Sequence, residues 1–346
     1  NQATQKGGKR CSTAVAFLKP VLSRLNLTVK TNAQVLRLNF NGKSINYVEF
    51  SHNGNTEKAE VEGEVLLSGG AFNSPQILML SGIGSAEKLK KFEIPNVVDL
   101  PGVGENLRDD LVCALSHICQ KPVSLAAAES IGSIAKYLIL KKGLLTSNVA
   151  EACGFVRTDS AQSRPNLQFH FAPVYYLNHG FIAPEGHGFT IAPTLIRPKS
   201  SGFVGLRSAN PTDSPMIQPN YFEQTEDLDL MVKGYRLCFD LIYTKAFDGF
   251  RGEIYADNKI GSIARDSSDA EIADYLRRNA ETLYHPVGTC KMGNDDLAVV
   301  DSKLKVHGIE NLRVIDASIF PTAIGANPNA AVIMVAEKAA DLIKIG

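Results

Sequence analysis

Hydrophobic and polar positions change their period several times along the chain. Near the beginning, apolar residues at helical spacing (11–26) precede segments in which apolar and polar residues alternate. The alternation predicts strands at about residues 27–40, 45–52 and 57–68. The dipeptides Asn41-Gly42 and Asn53-Gly54 separate these segments and are typical of hairpin turns. We therefore expect a helix followed by β-hairpins.

The third of these strands runs into two glycines and then into a short helix. In the segment VLLSGGAFNSPQILMLSG, the apolar strand ends at Gly69-Gly70. Ser74 followed by Pro75 predicts the start of the helix, because Ser caps free N–H groups and Pro fits the first helical position. Gly82 predicts its end.

The middle of the chain predicts a mainly β region that two helices follow. One strand is expected at 166–176, and GFTIAPTLIRP and GFVGLRS are expected to pair across a turn at 199–201. The helices are expected at about 224–245 and at 269–279, the second opened by a capping box that starts at Ser268.

The end of the chain returns to an α/β pattern. A strand, LRVIDAS (312–318), is followed by a loop of small residues and by a helix that begins at Asn327-Pro328-Asn329. The whole chain is thus predicted to be α/β, interrupted by a mainly β insertion.

Composition and charge narrow the class of function. A chain of 346 residues is long enough for two domains, or for one large α/β domain with an insertion. The 36 basic and 36 acidic residues balance, which argues against a nucleic acid or an anionic membrane as partner. No apolar run approaches the roughly 18 residues of a membrane span. The first residues, NQATQKGGKR, contain neither an initiator Met nor a signal peptide, so the chain reads as though it starts in mid-protein.

The start of the last helix has two interpretations. Asn327 before Pro328 is a natural N-cap, which is a purely structural role. The same helix N-terminus carries positive potential, which suits the negative charge of a reduced flavin. Val35 and the strand end at Gly69-Gly70 are similarly placed to approach an adenosine through their backbone.

A complete dinucleotide-binding fingerprint is missing from the sequence. Neither GIG at 82–84 nor GVG at 102–104 has the third glycine and the preceding strand of a GxGxxG turn. If a dinucleotide binds, its main phosphate-binding turn lies in sequence absent here.

The segment YHPVGTCKMG (284–293) raises the question of what His285 does. A metal site would need a second ligand at i+3 or i+4, and Cys290 alone supports it poorly. A Cys/His nucleophile pair would need a third, orienting residue, and none stands out. The residues alone leave a general base and a buried structural imidazole open.

Four segments together resemble the glucose–methanol–choline (GMC) family of flavin-dependent oxidoreductases, closest to its animal glucose-dehydrogenase-like branch. They are GGAFNSPQILMLSGIG, LPGVGENLRDD, YHPVGTCKMG and DASIFPTAIGANPNAAVIMVAEKAAD. The resemblance implies that the chain is the C-terminal three-fifths of such an enzyme. The N-terminal βαβ unit, with its glycine-rich FAD phosphate turn, would be missing or supplied as a separate chain.

The implied fold is α/β (α+β overall): part of a Rossmann-like FAD-binding domain plus a substrate domain built on an antiparallel sheet with flanking helices. Residues 1–110 and 281–346 would belong to the FAD-binding domain, and 111–280 to the substrate domain.

The resemblance also assigns site residues. The active-site base of the family lands on His285, and its second His or Asn lands on Asn327. No metal is implied. One departure is Asp110, where members often have His after the Asp of ENLxDH, which puts that loop's local contacts in doubt. The implied FAD contacts are Val35, Gly69, Gly70, Tyr284, Asp316, Ala317, Pro328 and Asn329.

The implied reaction is FAD-dependent oxidation of an alcohol or sugar hydroxyl, with hydride transfer to flavin N5 and His285 as base. An alternative is a hydroxynitrile-lyase-like member, in which His285 serves acid/base cleavage and FAD is not reduced. A third possibility is a binding protein that has lost its cofactor. The expected partners are a small-molecule alcohol and the N-terminal segment of the same protein, without nucleic acid or membrane. The family branch suggests a secreted protein.

Overall fold

The structure is a computed structural model that describes residues 4–182 and 184–345. It mixes helices and strands, so the predicted α/β class is confirmed. The chain forms two compact units. The sheet unit takes the described residues up to Lys30, Val112–Leu195 and Leu228–Glu281; the mixed unit takes Thr31–Leu111, Ile196–Asp227 and the chain from Thr282 onward. Which unit holds the cofactor and which the substrate stays a prediction.

The mixed unit begins with an antiparallel hairpin sheet. Its strands are Ala33–Asn41, Ser44–His52 and Asn55–Glu60. The predicted turns lie where expected, and Gly42 and Gly54 have the positive φ angles that such turns need. Leu38, Ile45 and Phe50 turn inward to the core.

The expected strand at 57–68 is wrong in its extent, because the chain leaves the hairpin sheet after Glu60. A separate strand, Val65–Leu67, pairs in parallel with Leu312–Val314. The side chain of Asn311 donates hydrogen bonds to the carbonyls of Gly63 and Ile45, so it holds the chain where it changes sheets. The buried Arg313 donates to both carboxylate oxygens of Glu64, which lies at the surface directly before the first strand, and this contact lowers the pKa of Glu64.

The helix after this strand spans Gly70–Leu80, so the predicted start at Ser74-Pro75 is wrong. Pro75 lies inside the helix and has no N–H to give to the carbonyl of Ala71. The Thr289 hydroxyl donates to that carbonyl instead, at 2.6 Å. A contact more than two hundred residues away in sequence therefore permits this proline. The helix ends as predicted, directly before Ser81 and Gly82.

The expected pairing of GFTIAPTLIRP with GFVGLRS is also wrong. Phe203–Gly205 pairs with Met216–Gln218, whereas Gly188–Leu195 belongs to the sheet unit. The backbone between them is held by side chains rather than by a hairpin. Arg108 donates to the carbonyls at 198–200, and Asp227 accepts from the N–H groups of Lys199 and Ser200.

The sheet unit is built on antiparallel strands. Their order is Ala152–Val156, Leu167–Ala172, Gly188–Leu195, Leu115–Cys119 and Arg251–Ile254. Helix Thr225–Ile242 packs on this sheet, where a Cβ at Gly234 would meet Leu167 and Pro193. Helix Asp269–Asn279 begins with the predicted capping box, and Ile131–Leu140 is a further helix.

The helix expected at 11–26 is replaced by a π-helical turn, Ala14–Leu18, and a 3₁₀ turn, Lys19–Val21. Pro20 explains the break, since it disfavours helix at the residue before it and lacks an N–H. Among the described residues, no helix has both the length and the apolarity to cross a bilayer.

Apart from the last helix, the remaining elements are short. The other helices are Leu125–Glu129, Leu144–Thr146, Asn178–Gly180, Lys245–Phe247 and Ala317–Ile319 (3₁₀), with Ala86–Lys90 and Asn329–Ile345 (α). The other strands are Gln5–Lys6, Lys9–Arg10, Ile83–Gly84, Val98–Asp99, Leu111–Val112 and Glu281–Thr282.

Candidate active site

His285 lies in a segment that runs antiparallel to residues 108–110 within the mixed unit. Leu283 donates its N–H to the carbonyl of Asp110, and Val287 exchanges two backbone hydrogen bonds with Arg108. Tyr284 adopts a positive φ of 61°, which is strained for an aromatic residue, and its side chain is exposed. These constraints fix the backbone on both sides of the imidazole.

A carboxylate binds the inner nitrogen of this imidazole. The Nδ1 atom of His285 lies 2.9 Å from an Oδ2 of Asp110, and their side chains are only 14% and 5% exposed. Because an ionised carboxylate only accepts hydrogen bonds, Nδ1 carries a proton, and in a neutral ring the lone pair then lies on Nε2. Asp110 was known from the sequence only as a departure from the family pattern. The only hint in the sequence was the pair of adjacent acids, Asp109-Asp110, in the segment LRDD.

The neighbouring acid, Asp109, binds the backbone rather than the ring. Its carboxylate accepts from the N–H of His285 at 3.0 Å and from the hydroxyls of Thr282 and Tyr221. Burial raises the pKa of both Asp109 and Asp110, although the hydrogen bonds that each receives oppose the shift.

Asn327 meets the outer nitrogen of His285. Its Nδ2 lies 3.3 Å from Nε2 of the imidazole, across 42 positions of sequence. The two residues to which the family resemblance assigns the active site are therefore in contact, while their catalytic roles stay a prediction. Helix Asn329–Ile345 starts two residues later, and the carbonyl of Pro328 accepts from Val332.

A shallow cleft lies between the segment around His285 and the loop before the last helix. Its lining residues include His285, Asp110, Ala323, Ala326 and Pro328.

Asn106, which the sequence analysis did not single out, joins the same two segments through its amide. Its Nδ2 donates to the carbonyls of Gly288 and Pro321, both at 3.2 Å, and its Oδ1 accepts from Arg108. Gly288 has a φ of 98°, and a Cβ there would lie 2.4 Å from the carbonyl oxygen of Asn106. Only glycine allows the two backbones to approach so closely.

Four of the predicted FAD contacts converge at the carboxyl ends of the parallel strand pair. Asp316 accepts from the N–H of Gly70 at 2.9 Å and from the hydroxyl of Ser74 at 2.5 Å. Ser74 in turn accepts from the N–H of Gly69, and the carbonyl of Ala317 accepts from Gly288. Ligands of parallel α/β sheets bind at this kind of edge. Gly70 has a positive φ and open space where a Cβ would be, so the backbone is accessible there.

The other predicted FAD contacts lie outside the two strand ends. Val35 is half-buried in strand Ala33–Asn41, which packs against helix Gly70–Leu80. Pro328 lines the cleft beside His285, and Asn329 is the exposed first residue of the last helix. Contact of any of these residues with a flavin stays a prediction.

Comparison with known proteins identifies the family. Two family models, each described as GMC oxidoreductase, match residues 2–112 and 198–336, which together exceed half of the chain. An alcohol dehydrogenase (acceptor) of Pseudomonas putida is 41% identical over 99% of this chain and 62% of its own length. Mouse mitochondrial choline dehydrogenase is 42% identical over 97% of this chain and 57% of its own length.

A solved structure with a similar fold is a formate oxidase of Aspergillus oryzae, described for its FAD modification. It is 28% identical with a TM-score of 0.90, over 99% of this chain and 64% of the formate oxidase.

The chain belongs to the GMC oxidoreductase family, which confirms the predicted family. The chain spans about three-fifths of the length of the curated relatives it matches. The FAD of the formate oxidase agrees with the predicted cofactor. The animal glucose-dehydrogenase-like branch stays a prediction.

Proposed function

We propose that the protein to which this chain belongs oxidises the hydroxyl group of a small alcohol or sugar with FAD, and that His285 is the base. The observation that carries this proposal is the orientation of one imidazole. Nδ1 of His285 is bound by Asp110, and Nε2 points to the amide of Asn327 at the edge of the protein. A base needs such an unprotonated nitrogen within reach of a substrate.

The residues present fit an FAD. The strand end at Gly69-Gly70 offers backbone without bulky side chains, and the N-terminus of the 17-residue helix Asn329–Ile345 lies two residues after Asn327, which contacts His285. A helix N-terminus stabilises negative charge nearby. When bound, FAD supplies the acceptor for the hydride that leaves the carbinol carbon.

The side chains of this chain would handle the hydroxyl. A substrate oxygen that bonds to both Asn327 and Nε2 of His285 would replace the 3.3 Å contact between these two groups. Asn327 then donates to that oxygen and orients it. The hydroxyl proton passes to Nε2, so that the O–H bond breaks as the N–H bond forms.

In this proposal the FAD site is completed by further strands and a phosphate-binding turn, which come from an N-terminal segment of the same protein. Parallel sheets are normally buried on both faces, yet among the described residues the parallel sheet at the site consists of Val65–Leu67 and Leu312–Val314. Leu66, in the first of these strands, is 45% exposed. Further strands beside this pair would cover it and would bring the phosphate-binding turn that the sequence lacks.

The relatives' names support the class of reaction without fixing the substrate, since they include an alcohol, a choline and a formate enzyme. The glucose-dehydrogenase-like branch and a secreted location remain expectations from the sequence.

Anaerobic reduction distinguishes oxidation from lyase chemistry. The full-length protein with FAD would be mixed with a panel of primary alcohols, sugars and cyanohydrins in the absence of oxygen. We expect at least one alcohol or sugar to bleach the flavin, with one carbonyl product formed per flavin. Cleavage of a cyanohydrin without bleaching would favour the lyase instead.

A further inference from the structure

We propose that Asp110 is a positioning residue that fixes the protonation pattern of His285 and stabilises the imidazolium formed during the reaction. The inference rests on the proposed function of His285 as base. It concerns a residue whose part in the site neither the sequence pattern nor the family comparison assigns.

The geometry separates Asp110 from its neighbour. Asp109 accepts from one N–H and two hydroxyl groups that hold the backbone around His285. Asp110 instead directs its carboxylate to the ring nitrogen at 2.9 Å, in a position that is almost fully buried. The chain thus uses one carboxylate for the backbone and the next for the imidazole.

This contact selects one tautomer of neutral His285. With its proton on Nδ1, donated to Asp110, the ring presents the lone pair of Nε2 toward Asn327 and the substrate side. The other tautomer would place a hydrogen on Nε2 and leave Asp110 facing a second acceptor. Two buried acceptors that face each other without a hydrogen between them raise the free energy of the folded protein.

The same carboxylate acts when the base takes up the substrate proton. The O–H bond of the alcohol breaks, the Nε2–H bond forms, and the ring becomes a cation beside the anionic Asp110. Asp110 keeps its charge throughout and receives no proton. Attraction between opposite charges in a buried site then lowers the energy of the protonated base.

Burial of this carboxylate opposes its ionised form, and the pKa of Asp110 is raised accordingly. The hydrogen bond from His285 and the charge of Arg197 favour ionisation, whereas Asp109 disfavours it. A buried carboxylate in this setting costs stability, which is typical of residues kept for function.

The test compares Asp110→Asn with the unaltered full-length protein carrying FAD. Stopped-flow measurement of anaerobic flavin reduction, at saturating substrate and over a range of pH, gives the limiting rate. We expect a loss of about 10–100-fold and a shift of the acid limb to lower pH, because protonation of His285 loses its neighbouring anion. Asp295→Asn is the matched control, since Asp295 is an exposed carboxylate paired with Lys291. An unchanged rate and profile in Asp110→Asn would overturn the proposal.

Histidine ¹⁵N NMR measures the tautomer of His285 directly, in the absence of substrate. In the unaltered protein we expect His285 to be protonated at Nδ1 alone, and in Asp110→Asn to populate both tautomers. His285→Gln identifies the resonances. Asp110→Ser, which removes the charge and leaves room for water, repeats the test if Asp110→Asn is unstable. If His285→Gln reduced the flavin as fast as the unaltered protein, the proposed function would be contradicted. If His285→Gln were slow but Asp110→Asn kept the original rate and the original tautomer, only the present inference would be contradicted.

Discussion

The two segments that form the candidate site are held in very different ways. The base segment (282–289) exchanges backbone hydrogen bonds with residues 108–110 and is bound by two buried carboxylates. The amide loop (320–328) ends in the exposed Asn327, just before the last helix. The chain itself therefore holds the imidazole of His285 in place, whereas the carboxamide of Asn327 is exposed, on the side where the proposed cofactor and substrate would arrive.

Asn106 connects the two segments through the carbonyls of Gly288 and Pro321. Their spacing therefore depends on a side chain outside both, as well as on the direct contact between His285 and Asn327. The following changes test the base segment, the junction and the amide loop, in order of decreasing effect.

His285→Ala removes the centre of the base segment. We expect the limiting rate of anaerobic flavin reduction in the full-length protein to fall by about 10²–10⁴-fold, the range for loss of a general base. FAD should still bind, because the predicted FAD contacts do not include His285. His52→Gln is the control, since His52 lies in the hairpin sheet beside Glu57. A variant that retains the original rate would remove His285 from the mechanism.

Gly288→Ala strains the junction between the segments. The left-handed backbone alone costs about 1–3 kcal/mol for a residue with a side chain, and the added Cβ collides with Asn106. Gly42→Ala is the matched control, because Gly42 also has a positive φ but has open space around its Cβ position. Denaturant unfolding should show a clearly larger loss of unfolding free energy for Gly288→Ala; equal losses would mean that the close approach carries no weight.

Asn327→Ala removes the carboxamide from the amide loop. Loss of one hydrogen bond to a reacting oxygen should lower the rate of flavin reduction by about 10–100-fold. Asn327→His should retain more of the rate than Asn327→Ala, because an imidazole can also donate to the substrate oxygen. Equal rates for the two variants would show that a donor at position 327 does not act on the substrate oxygen.

Thr289→Val tests the anchor between the base segment and helix Gly70–Leu80. The variant keeps the shape but leaves the carbonyl of Ala71 without its donor, which should cost about 1–3 kcal/mol in unfolding free energy. Thr56→Val, on an exposed strand position, is the control. A stability change no larger than that of Thr56→Val would mean that water satisfies the carbonyl.

Local signals in the sequence predicted much of the fold. Asn41-Gly42 and Asn53-Gly54 gave the correct hairpins, and the capping box at Ser268 gave the correct helix start. These features depend on neighbouring residues only.

Features set by distant residues were not predictable in this way. Thr289 donates to the carbonyl that Pro75 leaves open inside the helix, and Asn311 donates to the carbonyl of Gly63, where the chain changes sheets. In the site, the meeting of His285 with Asn327 followed from the family resemblance. The contact between Asp110 and His285 did not follow from it. The two residues lie 175 positions apart, and Asp110 stands where the family pattern often has His.

A double-mutant cycle in anaerobic flavin reduction tests the central claim most directly, namely that His285 and Asn327 act on the same substrate oxygen. Limiting rates would be measured for His285→Ala, Asn327→Ala and the double variant, each in the full-length protein with FAD. Groups that act as a unit are strongly non-additive, so the double variant should be little slower than His285→Ala alone. A double variant slowed by the full product of the two single effects would show that the imidazole and the carboxamide work independently, and would contradict the account.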